Sequence, residues 1–382
     1  MLIGVDHGNK QIKTVHCTPF VSGLQQSMTR PFGPSLQYGG NYYTLSNERI
    51  PYRKDKTGDD RFFILTLIAI AEELTARGVD EKELYHIQLP VGLPPAHFGA
   101  QAEKFTAYFQ KKGIVEFQYR DKHYAISIDD VACYPQAYAA AATMLHTLMN
   151  EAKAVVVDIG GFTADYLLMK NGKADLSSCD SLENGVILLY NKIRSRGNAE
   201  LDLLLDEGDV DAILTGKQTQ YPPSVVRLVE QLAQEFVNDL FSTLRERMLD
   251  LRYCTVVFVG GGAILLRRQI EASGKVGKPL FVSNINANAA GYEYHQLFEQ
   301  CGGPLGVAFA GLGNGGGVVF SKIPLHILQH LVVGQVLVGC RREEYVVEII
   351  HRRHPPRTRP RRPHPLPPAQ PAPSAPGRPA PC

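Results

Sequence analysis

The chain has 382 residues, 44% of them hydrophobic and 20% charged, with a formal net charge of +2; that length holds two or three domains with ample core. From Ile349 onward there are 7 arginines and no acid, so residues 1–348 carry 33 basic against 38 acidic side chains, and that net of −5 disfavours direct nucleic-acid binding by the core. Seven scattered cysteines without a C-x-x-C pair argue against a disulfide framework or a zinc site and point to reduced thiols in the cytoplasm. No basic region followed by an apolar stretch opens the chain, so a signal peptide is not expected. The apolar run Ile323–Cys340 is broken by His326, Gln329, His330 and Gln335 and makes a poor membrane span.

Met1–Val5 predicts a strand. It leads into Asp6-His7-Gly8-Asn9-Lys10-Gln11-Ile12-Lys13 and a second strand, Thr14-Val15-His16. Residues 19–56, rich in Gly, Pro, Ser, Asn and Tyr, predict short strands and exposed turns. Arg61–Arg77 places Phe62, Leu65, Ile68 and Ala69 at helical spacing before Gly78. A strand over Tyr85–Val91 ends in Gly92-Leu93-Pro94-Pro95, and Ala96–Lys112 predicts a second helix stopped by Gly113. Ile114–Tyr119 and His123–Ile128 read as a hairpin across Arg120-Asp121-Lys122. Val131–Tyr134 leads through Pro135-Gln136 into an Ala-rich helix over 137–150. That helix reads as scaffold, but Gln136 at its start is placed to orient a water in an adjoining cleft.

Ala154–Asp165, Ala-Val-Val-Val-Asp-Ile-Gly-Gly-Phe-Thr-Ala-Asp, repeats the opening design: strand, Asp158, a Gly160-Gly161 turn, Thr163, then a second strand, Tyr166–Met169, closed by Asn171-Gly172. A phosphate needs close backbone approach and convergent N–H donors, which two glycines permit. Asp158 at a strand end is placed to hold a metal-bound water beside that phosphate. A plain hairpin with an acidic edge is the other reading. Two such units about 150 residues apart point to two related halves, each offering a carboxylate and a loop to one ligand. Further on, Val186–Arg194 predicts a helix and Ser224–Leu251 a long amphipathic one. A strand over Thr255–Val259 runs into Gly260-Gly261-Gly262 and a helix over 263–270, a turn against which a flat ring or phosphate can lie, or a tight strand–helix connection. Phe281–Ser283 predicts a strand and Asn288–Phe298 a helix. Gly311-x-Gly313-x-x-Gly316 spells a dinucleotide fingerprint, but it lies among 8 glycines in 302–317 with neither the preceding strand nor the following acid.

Asp6-x-Gly8, Pro135-Gln136-Ala137, Asp158-Ile159-Gly160-Gly161-Phe162-Thr163-Ala164-Asp165, Gly260-Gly261-Gly262 and Asn288-Ala289-Ala290-Gly291 occur in this order. They resemble the phosphate 1, connect 1, phosphate 2, adenosine and connect 2 signatures of the actin/Hsp70/sugar-kinase ATPases. Gly92-Leu93-Pro94 and the form of phosphate 2 look most like the actin-like plasmid-segregation ATPases of the ParM/StbA type. Lys10 stands where many members have a second glycine, and Lys13 keeps a basic residue toward a phosphate. The resemblance implies a two-domain α/β actin-like (ribonuclease H-like) fold with a nucleotide cleft. ATP, or GTP, and Mg²⁺ would lie between the loops after Asp6 and Asp158, with those two aspartates holding the hydrated metal. Gly8, Asn9, Lys13, Gly160, Gly161 and Thr163 would contact phosphates, Gly260, Gly261 and Gly262 would line adenosine, and Gln136 would position the attacking water. It also implies filaments of the chain itself, coupled to DNA through a DNA-binding adaptor, with no membrane partner. A small-molecule kinase of the same superfamily and a non-catalytic scaffold are the alternatives; the first needs an acidic base outside the phosphate loops, the second would have lost Asp6 or Asp158.

The expected division is domain I over 1–150 plus any returning C-terminal helix, domain II over 151–300, a Gly-rich and apolar segment over 301–354, and a disordered Pro/Arg-rich tail over 355–382. That tail holds 12 of the 25 prolines and no acid. A basic tail for a partner or DNA and out-of-frame translation beyond about residue 300 are both readings of it.

Overall fold

The computed structural model describes residues 1–300 except 80, 111 and 112, together with 317–320, 336–341 and 344–349. The chain divides into two compact units, Met1–Ala308 and Phe309–Cys382.

The first half of the first unit runs β1 (Asp6–His7), β2 (Gln11–Lys13), β3 (Phe20–Val21), β4 (Leu24–Ser27), β5 (Leu36–Tyr38), β6 (Asn41–Leu45), α1 (Arg61–Ala76), β7 (Tyr85–Leu93), α2 (Pro95–Phe109), β8 (Ile114–Tyr119), β9 (Lys122–Pro135), α3 (Tyr138–Ala142) and α4 (Leu145–Leu148). Its main sheet has the order β4-β6-β5-β8-β9-β7, and β1-β2-β3 form a small sheet beside it. The N-terminal segment extends along β7, with the amides of Ile3 and Val5 donating to the carbonyls of Gln88 and Pro90 at 3.0 Å each. This places Asp6 where the chain leaves that edge. Helix α1 is apolar nearly all round, and Phe62–Ala71 is buried throughout, as a helix sunk in a core must be. Truncating Leu65 there, at 0% exposure, costs about 2–5 kcal/mol.

The second half runs β10 (Lys153–Ile159), β11 (Ala164–Lys170), β12 (Lys173–Leu182), α5 (Val186–Leu201), α6 (Glu207–Leu214), α7 (Pro223–Glu246), β13 (Thr255–Val259), α8 (Gly260–Leu265), α9 (Arg267–Ala272), β14 (Lys278–Phe281) and α10 (Ala287–Gln300). The sheet order is β12-β11-β10-β13-β14, with β10 antiparallel to β11 and parallel to β13. Val155–Val157 are fully buried, and α7 lays Val225, Val229, Leu232, Val237, Leu240 and Leu244 along one stripe over this core.

The boundary at 150 does not match the packing. Ala137, Ala140 and Ala141, expected in domain I, share a core with Val156, Leu167, Val257 and Val259 of the second sheet. Conversely α10, expected in domain II, is the helix that returns to the first lobe: its Tyr292 and Glu299 meet Tyr134, and its Gln296 donates to Asp130 at 2.7 Å. The two crossing helices touch where a Cβ on Gly291 would lie 2.0 Å from the Ala139 carbonyl oxygen, so only glycine fits.

Other expectations shift for local reasons. The helix over 137–150 breaks into α3 and α4, because the Thr143 hydroxyl bonds the Ala140 carbonyl at 2.7 Å and Met144 leaves helical backbone with φ −116°. The three glycines form the first turn of α8 instead of a loop before it. Strand β12 is an unforeseen third strand after the Asn171-Gly172 turn.

In the second unit, β15 (Gly317–Phe320), β16 (Val336–Arg341) and β17 (Glu344–Ile349) form an antiparallel sheet of order β15-β17-β16. The dinucleotide-like spelling at 311–316 and the tail over 355–382 lie outside the described residues. Among the described residues no helix is long and apolar enough to cross a membrane.

Candidate functional site

The turns after Asp6 and Asp158 face each other across one cavity of about 230 Å³. Each is tied from behind by its carbonyls. The His7 carbonyl accepts from Lys56 Nζ, the Gly8 carbonyl from Ser22 Oγ at 2.5 Å, and the Lys10 carbonyl from the Ser22 amide at 3.1 Å. In the second loop the carbonyls of Gly160, Gly161 and Phe162 accept from the amides of Val186, Ile187 and Gly185 at 3.1, 2.8 and 2.8 Å. The amides of Gly8, Asn9, Lys10, Gly161, Phe162 and Thr163 have no backbone acceptor among the described residues. Unpaired N–H groups lining a polar cavity are what an anion needs. Gly161 lies so close to the first loop that a Cβ would meet the Lys10 Cβ at 2.8 Å, so the loops touch.

Asp6 and Asp158 are 1% and 4% exposed. The Asp6 carboxylate accepts from Gln136 Nε2 at 2.8 Å and from Lys13 Nζ at 3.2 Å. Gln136 is fixed by its own amide on the Leu93 carbonyl, 2.9 Å, and by Ala137 at φ +61°, a conformation costing about 1–3 kcal/mol for a residue other than glycine. Asp158 accepts from Asn288 Nδ2 at 2.5 Å, and Asn288 Oδ1 accepts from the Ala137 amide at 3.2 Å. One asparagine on α10 thus joins the second carboxylate to the residue after Gln136. Asp165 accepts from Thr163 Oγ1 at 3.4 Å, and its Oδ1 has no partner among the described residues.

Burial raises the pKa of Asp158, and Asp6 adds to the effect against the Lys13 ammonium and the Asn288 amide. Burial and then the charge of Asp158 hold Asp165 well above the usual carboxylate range. Burial works against the Lys13 ammonium, yet Asp6 and Asp158 outweigh it and raise its pKa. Burial lowers Lys56 to about 8, with Asp6 opposing. His7 stays neutral because burial and the Lys56 charge hold its pKa well down.

At the mouth, Lys10 reaches from the first lobe to the second: Nζ lies 2.6 Å from Tyr190 Oη, 3.4 Å from Asp211 and 3.6 Å from Glu207. Arg49 joins Glu207 at 2.6 Å, and Tyr52 stacks on Phe162 with centroids 3.4 Å apart.

Asp6, Gly8, Asn9, Lys13, Gln136, Asp158, Gly160, Gly161, Thr163, Gly261 and Gly262 all line the cavity. Gly260 is placed differently: it is buried, and a Cβ there would lie 2.2 Å from Asp158 Oδ1, so its bareness makes room for the carboxylate. Lys13 is committed to Asp6 in this state. Sequence reasoning missed Lys56, Tyr190 and Asp211, which reach the cavity from far along the chain. It quoted Asn288 and Asp165 only as parts of motifs. Among the described residues no group of three His, Cys, Asp or Glu side chains forms a direct metal cage. The buried carboxyl groups of Asp6 and Asp158, which act on each other's charge, and the unpartnered Asp165 oxygen beside them fit a divalent cation that keeps most of its own water, as Mg²⁺ does.

The model of the actin-like protein N-terminal domain matches residues 4–138, and that of the C-terminal part of archaeal MreB-like actin homologues matches 156–272. A search of the curated proteins finds no match. Among solved structures, an archaeal actin homologue, Ta0583, in complex with ADP is 16% identical with a TM-score of 0.58, over 77% of this chain and 98% of that one. A 15-stranded ParM filament from Clostridium botulinum gives 16%, 0.58, 77% and 98%. Bacillus thuringiensis ParM with AMPPNP gives 12%, 0.56, 78% and 99%. The two models take up the two lobes in turn, each containing one of the facing Asp-Gly loops, and the structural likeness runs through both: this chain has the actin-like two-domain fold.

Proposed function

We propose that this chain is a nucleotide-dependent, filament-forming ATPase of the ParM type, acting in the segregation of plasmid or other DNA through a DNA-binding adaptor in the cytoplasm. The observation that carries the reading is the pair of Asp-Gly loops, carbonyls tied back and amides unpaired, across one cavity that also holds Gln136. ATP is the expected nucleotide, with GTP the other candidate. The loop amides bind the phosphate oxygens, and Asp6 and Asp158 hold a hydrated Mg²⁺. The cation supplies charge neutralisation on those oxygens when bound. Gln136 gives one N–H to Asp6, which leaves its carbonyl oxygen to accept from a water. An amide is no base, so its role is orientation.

The cavity of about 230 Å³ is below the roughly 300–1,000 Å³ of small-ligand pockets. A nucleotide therefore enters only when the lobes part, which breaks the Lys10 contacts and ties nucleotide state to lobe angle. The 15-stranded filament of C. botulinum ParM supports self-assembly by a head-to-tail contact that does not close.

Phosphate release and sedimentation with Mg-ATP, with Mg-GTP and without nucleotide test this reading. The expected outcome is nucleotide-dependent release and pelleting. A monomer at high concentration under saturating Mg-ATP counts against assembly, and absent release with either nucleotide counts against the ATPase. A chain ended near residue 300 is expected to keep nucleotide binding, since every cavity residue precedes Gly291.

A further inference from the structure

Lys56 is 6% exposed and lines the cavity from a loop that carries none of the family signatures. The loop is pinned on either side of it. Asp55 closes a turn on Thr57, accepting from its amide at 2.9 Å and its hydroxyl at 2.6 Å, and is anchored to Lys104 of α2 at 2.5 Å. The Asp59 amide bonds the Lys56 carbonyl at 3.3 Å. Between these ties the lysine side chain reaches the cavity. Its ammonium sits over the Phe62 ring, 5.4 Å from the centroid, and its single hydrogen-bond acceptor among the described residues is the His7 carbonyl.

An ammonium has three N–H donors and a high desolvation cost, so a buried one is normally ion-paired. Asp6 and Asp165 are close enough to act on its charge, yet no carboxylate oxygen lies within 4.0 Å of it among the described residues. The other two cavity lysines are engaged: Lys13 by Asp6, and Lys10 by Tyr190, Asp211 and Glu207. Lys10 is also partly exposed, its side chain 25% accessible, whereas Lys56 is buried against the His7 carbonyl of the first Asp-Gly loop.

We propose that Lys56 is a ligand-binding residue that contacts the terminal phosphate of a bound nucleoside triphosphate and so distinguishes triphosphate from diphosphate. The inference rests on the nucleotide reading above. A phosphate with its charge beside Lys56 gives the two remaining N–H groups acceptors and gives the buried cation its counter-charge.

Calorimetric titration of the full chain and of Lys56→Met with AMPPNP and with ADP, each with Mg²⁺, tests it without relying on turnover. The expected result is a loss of AMPPNP affinity about 10- to 100-fold greater than the loss of ADP affinity, the range of one charge-assisted hydrogen bond, since release of the His7 carbonyl acts on both nucleotides alike. Lys56→Arg should recover part of the AMPPNP affinity. The ligand-free variant should melt no lower than wild type, because methionine removes an uncompensated buried charge. Equal losses for both nucleotides, an unchanged AMPPNP affinity, or a lowered melting temperature with both affinities reduced would each overturn the assignment while leaving the nucleotide site standing. Wild-type protein that binds neither nucleotide would instead overturn the nucleotide reading and this inference with it.

Discussion

The loops after Asp6 and Asp158 have the same plan and unequal surroundings. Asp6 receives a lysine and an amide, Lys13 and Gln136, both from the first lobe. Asp158 takes its hydrogen bond from the neutral Asn288, feels Lys13 only through its charge, and has Asp165 as a neighbouring acid. The first carboxylate is compensated from within its own hairpin and the second is not. A repeated strand–Asp–Gly design therefore yields two different half-sites, because Lys13 on β2 partners only the first aspartate and the other partners come from outside the repeat, Gln136 after β9 and Asn288 on α10. On the proposed reading the two are complementary: the second half has the excess negative charge that a cation would relieve, and the first has the cations that phosphate would relieve.

Removing the uncompensated half is the most severe way to break this comparison. Asp158→Ala should lower phosphate release by about 10²–10³-fold, the several kcal/mol expected for lost charge stabilisation at the metal. Its far-UV circular dichroism should stay unchanged. Wild-type turnover in a folded variant would show that Asp158 is not part of the chemistry.

On the compensated side, Gln136→Ala should slow phosphate release by about 10²-fold if the amide orients water, with nucleotide affinity nearly the same and filaments that persist longer in sedimentation. Affinity falling in step with turnover would make Gln136 a binding residue.

The electrostatic inequality itself is tested by Asp165→Asn. Its folded pKa lies above the ordinary value of about 4, so the native state binds the proton more tightly than the unfolded chain. The stability this gives is complete below about pH 4 and is lost as pH rises toward the folded pKa. Asparagine removes that loss, so the variant should melt about 2–4 °C higher than wild type at pH 7.5 and no higher at pH 4. A melting temperature lowered at pH 7.5 would mean that the carboxylate is compensated after all.

The smallest effect is expected from Lys10→Gly, which cuts the contacts joining the halves at the mouth. These groups are partly exposed, with side-chain accessibilities of 25% and 42% for Lys10 and Asp211, so their joint worth is about 1 kcal/mol or less. Stopped-flow nucleotide association should quicken by about 2- to 5-fold. A slower association would mark Lys10 as part of the binding surface instead of a closing contact.

Asp6, Gly8, Gln136, Asp158, Gly160 and Thr163 were legible from the sequence because each sits at a strand end or in a glycine turn, where local backbone requirements leave a local signature. The α/β alternation, α1 and the stripe of α7 were legible for the same reason: periodicity is a property of neighbours in the chain. Tertiary structure alone decided which lobe α3 and α10 join, since that depends on the close crossing at Gly291 and Ala139. It also decided that Gly260 yields space to a carboxylate, that Lys13 spends its charge on Asp6, and that Lys56 and Asp211 reach the same cavity. No period or spacing encodes these, because burial and Coulomb interaction act between residues brought together only by the fold.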